Sequence, residues 1–316
     1  MTRFVRVLLC CFFAASICAG GDEVHFLFSH GWKDNPQQAD YYVESCKEGA
    51  RPHVITAPHT APQYSDATYR FWRTNFGQED EMATLEAGYQ RCCQDNARGK
   101  IVFFGVSRGA SNALALAAKP TVKRLAALVL ESPYDSAESL VEKQIDARVL
   151  RPLDMPRRYL ARLARFTLPS VVWRYVADNP ITRCSSRVKK IFVRHAARTV
   201  LRYCTSYRLD GLKPLDAIKN LPKRLPILLI CSKGDGSVPL ECSLAVYRAL
   251  RQAGHSRTYL VQLPRGKHAR IKRDSDEGKL FQAAVHAFYR RHGIAHNQEL
   301  ADAGDGEFAE MQSDGC

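Results

Sequence analysis

Several motifs that mark cofactor and metal enzymes are missing from this sequence of 316 residues. It contains no Walker-type phosphate loop, no G-x-G-x-x-G dinucleotide turn and no H-E-x-x-H helix. No CxxC pair or Cys/His spacing is typical of a zinc site, and nothing repeats at the period of a solenoid. We therefore expect neither a cofactor nor a bound metal ion, and a single main domain.

A long apolar run is also missing. The run near the start, Val7 to Ile17, is shorter than the roughly 20 residues that a transmembrane helix needs. Two arginines precede it and small residues follow it, which is the pattern of a secretory signal peptide. The sequence thus predicts a signal peptide over residues 1–20 and a secreted or periplasmic protein. The alternative is a cytoplasmic protein whose first segment packs on the domain.

Acidic residues are scarce relative to basic ones, since the net charge is +14 and the pI is near 9.4. Between Asp135 and Asp210 the chain has 16 Lys or Arg against 7 Asp or Glu. After Asn297 the balance reverses, because six acidic residues follow and no basic one. The composition predicts a basic segment that attracts anions and an acidic, disordered tail over residues 297–316.

Short apolar runs alternate with helical patterns along most of the chain. The predicted strands are Val24 to Phe28, His53 to Ala57, Ile101 to Phe104, Leu125 to Leu130, Ile227 to Cys231 and Thr258 to Leu263. This order is typical of βαβ crossovers. It predicts an α/β fold with a mostly parallel sheet of about six strands flanked by helices. The core is expected over residues 21–134 and 222–296.

The alternation breaks at residues 135–221. This stretch is long, basic and helical in pattern, and several prolines divide it. We interpret it as a helical insertion that covers the sheet as a lid.

The most informative local motif is Gly105-Val106-Ser107-Arg108-Gly109, which follows an apolar strand and precedes a helix rich in small residues. This G-x-S-x-G pattern places a serine on a sharp strand-to-helix turn, where only glycine leaves room on either side. The hydroxyl is then exposed above the sheet. The alternative is an ordinary turn whose serine caps the helix.

With this motif in its strand and helix context, the sequence resembles the α/β-hydrolase superfamily over about Val24 to Arg291, apart from the insertion. In that family an acid and then a histidine follow later strands. Here Ser232-Lys233-Gly234-Asp235-Gly236 follows one apolar strand, and Pro264-Arg265-Gly266-Lys267-His268 follows the last one. The resemblance implies Ser107 as nucleophile, His268 as general base and Asp235 as the orienting carboxylate. Glu131 and Asp135 are the alternative acids.

The resemblance also implies two backbone donors for an oxyanion. One is the N–H of Arg108, directly after the nucleophile. The other comes from the loop Ser29-His30-Gly31-Trp32, where we nominate Trp32. His30 is interpreted as a residue that organises this loop.

Three functions remain open at this stage. The leading hypothesis is a serine hydrolase that cleaves a carboxylic ester, small or lipid-like, through an acyl-enzyme. A serine peptidase of the same fold is the nearest alternative. The third is a non-catalytic basic module that binds anionic lipid or another polyanion, with an anionic membrane surface as partner of the insertion and no specific nucleic acid.

Overall fold

The computed structural model of the chain describes residues 24–31, 42, 50–55, 79–95, 99–145, 191, 195, 199, 213–268 and 275–313. The segment predicted as a signal peptide, Trp32 and most of the basic insertion lie outside these residues. The leader and the lid therefore stay predictions. Within the described ranges no helix is long and apolar enough to cross a membrane.

The described residues form one parallel sheet of six strands, in the order β2-β1-β3-β4-β5-β6. The strands are β1 (Val24–Ser29), β2 (Ala50–Ile55), β3 (Lys100–Val106), β4 (Leu125–Glu131), β5 (Ile227–Ser232) and β6 (Thr258–Leu263). Because the strands are parallel, all of their carboxyl ends lie at the same edge of the sheet. The predicted fold class is confirmed.

Helices connect and flank the strands. They are α1 (Glu79–Asp95), α2 (Arg108–Ala117), α3 (Ala137–Ile145), α4 (Pro214–Ala217), α5 (Leu240–Gln252), α6 (Asp276–Arg291) and α7 (Gln298–Ser313). A 3₁₀ turn, Ile218–Asn220, follows α4. The hydroxyl of Ser275 caps α6 by accepting a hydrogen bond from the Gly278 N–H at 3.1 Å.

The core lies on both faces of the sheet, because successive side chains of a strand point to opposite sides. In β3, Val102 and Phe104 pack with residues of α6, whereas Ile101 and Phe103 pack with residues of α1, α2 and α5. Both layers are almost fully buried. The sheet is thus held rigidly between helices, and its carboxyl edge is a firm base for loops.

One strand begins earlier than the sequence predicts. Strand β2 starts at Ala50 instead of His53 and includes Pro52. A proline cannot donate a backbone hydrogen bond, so within sheets it is confined largely to edge strands. Strand β2 is an edge strand of the described sheet, and the proline is compatible with that position.

The disorder predicted for the tail is wrong for residues 298–313, which form helix α7. Ala301 is fully buried, and a Cβ atom at Gly304 would lie 2.1 Å from the carbonyl oxygen of Ala283 in α6. Arg290 of α6 also forms ion pairs with Asp302 and Asp305. Small residues and paired carboxylates therefore hold α7 against α6, which a count of acidic residues does not reveal.

Candidate active site

Ser107 lies on a strained turn between β3 and α2. Its backbone has φ 55° and ψ −113°, a region that L-residues other than glycine rarely adopt. The two flanking glycines are required by space: a Cβ at Gly105 would lie 2.6 Å from the Ala110 Cα, and one at Gly109 would lie 2.1 Å from the Ser29 carbonyl oxygen. The turn is therefore the sharp one that the motif predicts, and the loop after β1 closes directly against it.

The loop after β1 places His30 and Gly31 in buried positions beside this turn. The Nδ1 of His30 donates a hydrogen bond to the Gly31 carbonyl oxygen at 2.8 Å. Burial, and then the positive charge of Arg108, lower the pKa of His30 to about 4. A neutral imidazole bonded to its own loop agrees with the loop-organising interpretation. Trp32, the nominated second oxyanion donor, lies outside the described residues.

Arg108 is the first residue of α2 and is itself buried. Its Nε lies 3.0 Å from Oε1 of Glu81 in α1, and both side chains are almost fully buried. A buried charge is costly unless an opposite charge lies close by, so this ion pair ties α1 to the turn at Ser107. The sequence motif predicts a role only for the backbone N–H of Arg108, and the ion pair of its side chain is visible only in the fold.

His268 and Asp235 lie together, although 33 positions separate them in the chain. The distance from His268 Nδ1 to Asp235 Oδ2 is 2.7 Å. The Asp235 carboxylate is 1% exposed and the His268 ring 19%, so the pair is shielded on the carboxylate side and reachable on the ring side. In this geometry the carboxylate fixes the proton on Nδ1, so the neutral imidazole carries its basic lone pair on Nε2.

Four donors surround the carboxylate of Asp235. Its Oδ1 accepts the backbone N–H groups of Ser237 at 2.7 Å and Val238 at 2.8 Å, and its Oδ2 accepts the Ser132 hydroxyl at 2.8 Å as well as His268. Burial by itself raises the pKa of Asp235, but the hydrogen bond and charge of His268 and the two backbone N–H groups together lower it below its ordinary value. Asp235 is therefore held as a carboxylate.

Ser132 is a residue that sequence analysis missed. It follows β4, between the strands that precede Ser107 and Asp235, and its φ of 49° is again in the left-handed region. Its backbone N–H donates to the Ile230 carbonyl oxygen at 2.7 Å. Ser132 thus combines a strained backbone with a side-chain hydroxyl that donates a hydrogen bond to Asp235. No sequence motif identifies it.

The loops that carry Asp235 and His268 touch each other. A Cβ at Gly234 would lie 2.6 Å from the Arg265 carbonyl oxygen, so only glycine fits there. On the other side, the Gln144 amide of α3 donates to the Gly236 carbonyl oxygen at 3.1 Å and also to that of Ser237. The start of the predicted insertion therefore holds the aspartate loop.

The alternative acids lie elsewhere. Glu131 ends β4 and its carbonyl oxygen accepts the Ser107 N–H at 2.7 Å. Asp135 lies 3.7 Å from the Lys143 Nζ. Because Nδ1 of an imidazole carries a single proton, its pairing with Asp235 favours Asp235 over both alternatives. Within the described ranges, no group of three or more His, Cys, Asp or Glu could hold a metal ion.

No family model and no curated protein matches the sequence. Solved structures do match the fold. An esterase from Pyrococcus furiosus shares 15% identity at a TM-score of 0.54, over 86% of this chain and 84% of its own. Est1E from Butyrivibrio proteoclasticus, whose structure holds ferulic acid, shares 15% identity at a TM-score of 0.51, over 87% of this chain and 91% of the Est1E chain. An acylaminoacyl peptidase from Pyrococcus horikoshii shares 15% identity at a TM-score of 0.51, over 88% of this chain and 38% of the peptidase chain. The chain therefore has the α/β-hydrolase fold.

Proposed function

We propose that the chain is a serine hydrolase that cleaves a carboxylic ester, with Ser107 as nucleophile, His268 as general base and Asp235 as the carboxylate that orients it. The observation that carries the proposal is the strained Ser107 turn at the same sheet edge as the shielded Asp235–His268 pair. A serine hydroxyl is a weak nucleophile until a base accepts its proton. These residue types, positioned by three parallel strands, meet that requirement.

In the proposed reaction, His268 Nε2 accepts the proton of Ser107 Oγ as the oxygen attacks the ester carbonyl carbon. The backbone N–H groups of Arg108 and Trp32 stabilise the resulting oxyanion. Breakdown of the tetrahedral intermediate releases the alcohol, which takes the proton from His268, and leaves an acyl group on Ser107. Water then attacks the acyl carbon while His268 accepts one of its protons. The bond to Ser107 Oγ breaks, His268 returns the proton to that oxygen, and the carboxylic acid is released.

Asp235 supports each step without giving up its own charge. Its low pKa keeps it ionised, and its Oδ2 holds the Nδ1 proton of His268 in place. When His268 becomes positively charged, the neighbouring carboxylate stabilises that charge. The four donors around Asp235 restrict its motion, so the imidazole keeps one orientation.

An ester is favoured over a peptide by the share of each neighbour's chain that the common fold covers. The Pyrococcus furiosus esterase is covered over 84% of its chain, whereas the Pyrococcus horikoshii peptidase is covered over only 38%. This comparison supports the proposal at the level of the fold. The substrate class is settled by assay, with matched p-nitrophenyl esters and p-nitroanilides of the same acyl groups.

The experiment that tests the nucleophile is labelling with a fluorophosphonate probe, followed by mass spectrometry of the modified peptide. We expect labelling of the wild type at Ser107, and loss of labelling in Ser107→Ala and in His268→Ala. Ser256→Ala, which removes an exposed serine, is the matched control and should label normally. A label that survives Ser107→Ala, or a folded wild type that does not label, would overturn the proposal.

The insertion is proposed to cover this site and to prefer anionic or lipid-like esters, because residues 135–210 are strongly basic and α3 contacts the aspartate loop. Hydrolysis of matched neutral and anionic esters should then differ, and the difference should shrink as salt is added, since salt screens exposed charges. Equal and salt-independent rates would remove this part of the proposal.

A further inference from the structure

A cleft of 650 Å³ opens at the amino edge of the sheet, opposite the carboxyl edge that holds Ser107. It is bordered by Leu125 at the start of β4, Pro226 just before β5 and Arg257 just before β6. Backbone hydrogen bonds connect these segments: the Leu128 N–H donates to the Pro226 carbonyl oxygen and the Ile227 N–H to that of Arg257, each at 2.9 Å. Backbone hydrogen bonds thus hold the segments that form the cleft. None of the lining residues belongs to the proposed active site, so the inference below does not rest on the proposed function.

The walls of the cleft are positively charged. Lys123, Arg224, Arg257 and Arg291 line it, and among the described residues no acidic side chain does. In the part of the chain that the structure describes, the side chains of Lys123, Arg224 and Arg257 form no ion pair. Like charges around one concavity repel each other and attract anions. An anionic ligand would remove that repulsion.

His292 lies with two of these cations at one wall of the cleft, since Arg257, Arg291 and His292 all line it. Burial, and then the charges of Arg257 and Arg291, lower the pKa of His292 to about 4. The His292 ring packs against Phe288, with 4.9 Å between the ring centroids. The Arg291 guanidinium lies over the ring of Tyr259 at 5.7 Å. Aromatic packing therefore holds this wall of the cleft in place.

The lining of the cleft also includes apolar residues, with Ala117, Leu125 and Pro226 among them. Its volume falls within the range of about 300–1,000 Å³ that small-molecule sites occupy. A diacyl lipid does not fit in that space, whereas a single ring system with an attached charged group does. The cleft thus has both cationic and apolar residues in its lining.

We propose that this cleft binds a soluble organic phosphate, with its phosphate on the arginines and its apolar body against the apolar residues of the lining. Guanidinium groups match phosphate oxygens in a forked geometry. The four cations suit a doubly charged phosphate monoester better than a singly charged carboxylate. The site lies at the edge of the sheet remote from Ser107, so the ligand is not the substrate of the proposed hydrolase.

Binding of 1-naphthyl phosphate, 1-naphthol and inorganic phosphate should be compared by calorimetry, in a Ser107→Ala background that prevents capture by the nucleophile. We expect 1-naphthyl phosphate to bind at least about tenfold more tightly than either of the others, a difference of about 1.4 kcal/mol. Hydrogen–deuterium exchange with this ligand should protect amides at 223–227 and 257–258. Affinity should fall as salt rises.

Two matched double variants locate the site. Arg224→Glu with Arg257→Glu should weaken 1-naphthyl phosphate binding by about tenfold or more, on the scale of one or two lost charge-assisted contacts. Arg248→Glu with Lys279→Glu changes the net charge equally at exposed positions outside the cleft and should bind normally. Circular dichroism verifies that both variants are folded. Equal affinity of both variants, equal binding of 1-naphthol, or protection only at other segments would overturn the proposal.

Discussion

Ser132 donates its hydroxyl to Oδ2 of Asp235 at 2.8 Å, which is the same oxygen that lies 2.7 Å from His268 Nδ1. Two donors on one carboxylate oxygen restrict both its position and its rotation. The orientation of His268 depends on this oxygen. By fixing Asp235, the hydrogen bond from Ser132 therefore also affects how the proposed base is oriented. Ser132 is therefore a positioning residue for the proposed reaction.

Ser132→Gly should lower kcat/KM for an ester about tenfold, since a hydrogen bond to a charged group contributes about 1.5–3 kcal/mol. Glycine is chosen because φ at this position is 49°, which glycine adopts without strain. Ser132→Ala should show the same loss of rate but a lower melting temperature. A folded Ser132→Gly with unchanged kcat/KM would show that the hydroxyl has no positioning role.

Asp235→Asn should lower kcat by about 10,000-fold while the fold is retained, because an amide stabilises the wrong tautomer of the histidine. Asp135→Asn is the matched control at an alternative acid position, where the carboxylate lies near Lys143 instead. Its kcat should stay close to that of the wild type. Steady-state kinetics on a p-nitrophenyl ester measures both, and the opposite ranking would assign the acid to Asp135.

Gly109→Ala should destabilise the protein by about 2–4 kcal/mol, because the new methyl group would collide with the Ser29 backbone. Gly236→Ala is the matched control, since nothing lies within 4 Å of its Cβ position. It should change the free energy of unfolding by at most about 1 kcal/mol. Urea unfolding compares the two variants with the wild type, and equal stabilities would contradict the close contact between the Ser107 turn and the loop after β1.

His30 should make the protein less stable as the pH falls. Its pKa is lowered from 6.5 to about 4 in the fold, by burial and then by Arg108, so the unfolded chain binds the proton first. The contribution of His30 to stability is complete above the unfolded pKa of 6.5, decreases as the pH falls towards 4, and is gone below it. A depression of this size corresponds to about 3 kcal/mol.

The comparison of wild type with His30→Gln isolates this effect, because His292 titrates in the same range and is present in both proteins. Urea unfolding between pH 4 and pH 7 should give a steeper fall of stability for the wild type than for the variant. Parallel curves would mean that His30 is not held neutral. The absolute stability of the variant is not the readout, since it also loses the hydrogen bond to Gly31.

Much of the fold was predictable because its signals are local. The apolar runs at β1, β3, β4, β5 and β6 lie within a few residues of the observed strands. The acidic tail was predicted wrongly for the opposite reason: Gly304 and Ala301 make α7 a helix only because Ala283 and its neighbours offer a surface. When a segment folds only by packing on a distant part of the chain, its own composition gives little sign that it is ordered.

The sequence by itself determined the strained turn at Ser107, because the steric demands of Gly105 and Gly109 act within a few bonds, and it determined the order in which serine, aspartate and histidine follow their strands. Only the tertiary structure decided that Asp235, rather than Glu131 or Asp135, meets His268, that Ser132 supports it, and that Lys123, Arg224, Arg257 and Arg291 share one cleft. Each of these relationships joins residues that flank different strands or end a helix, and only packing of the parallel sheet and its helices brings such residues together.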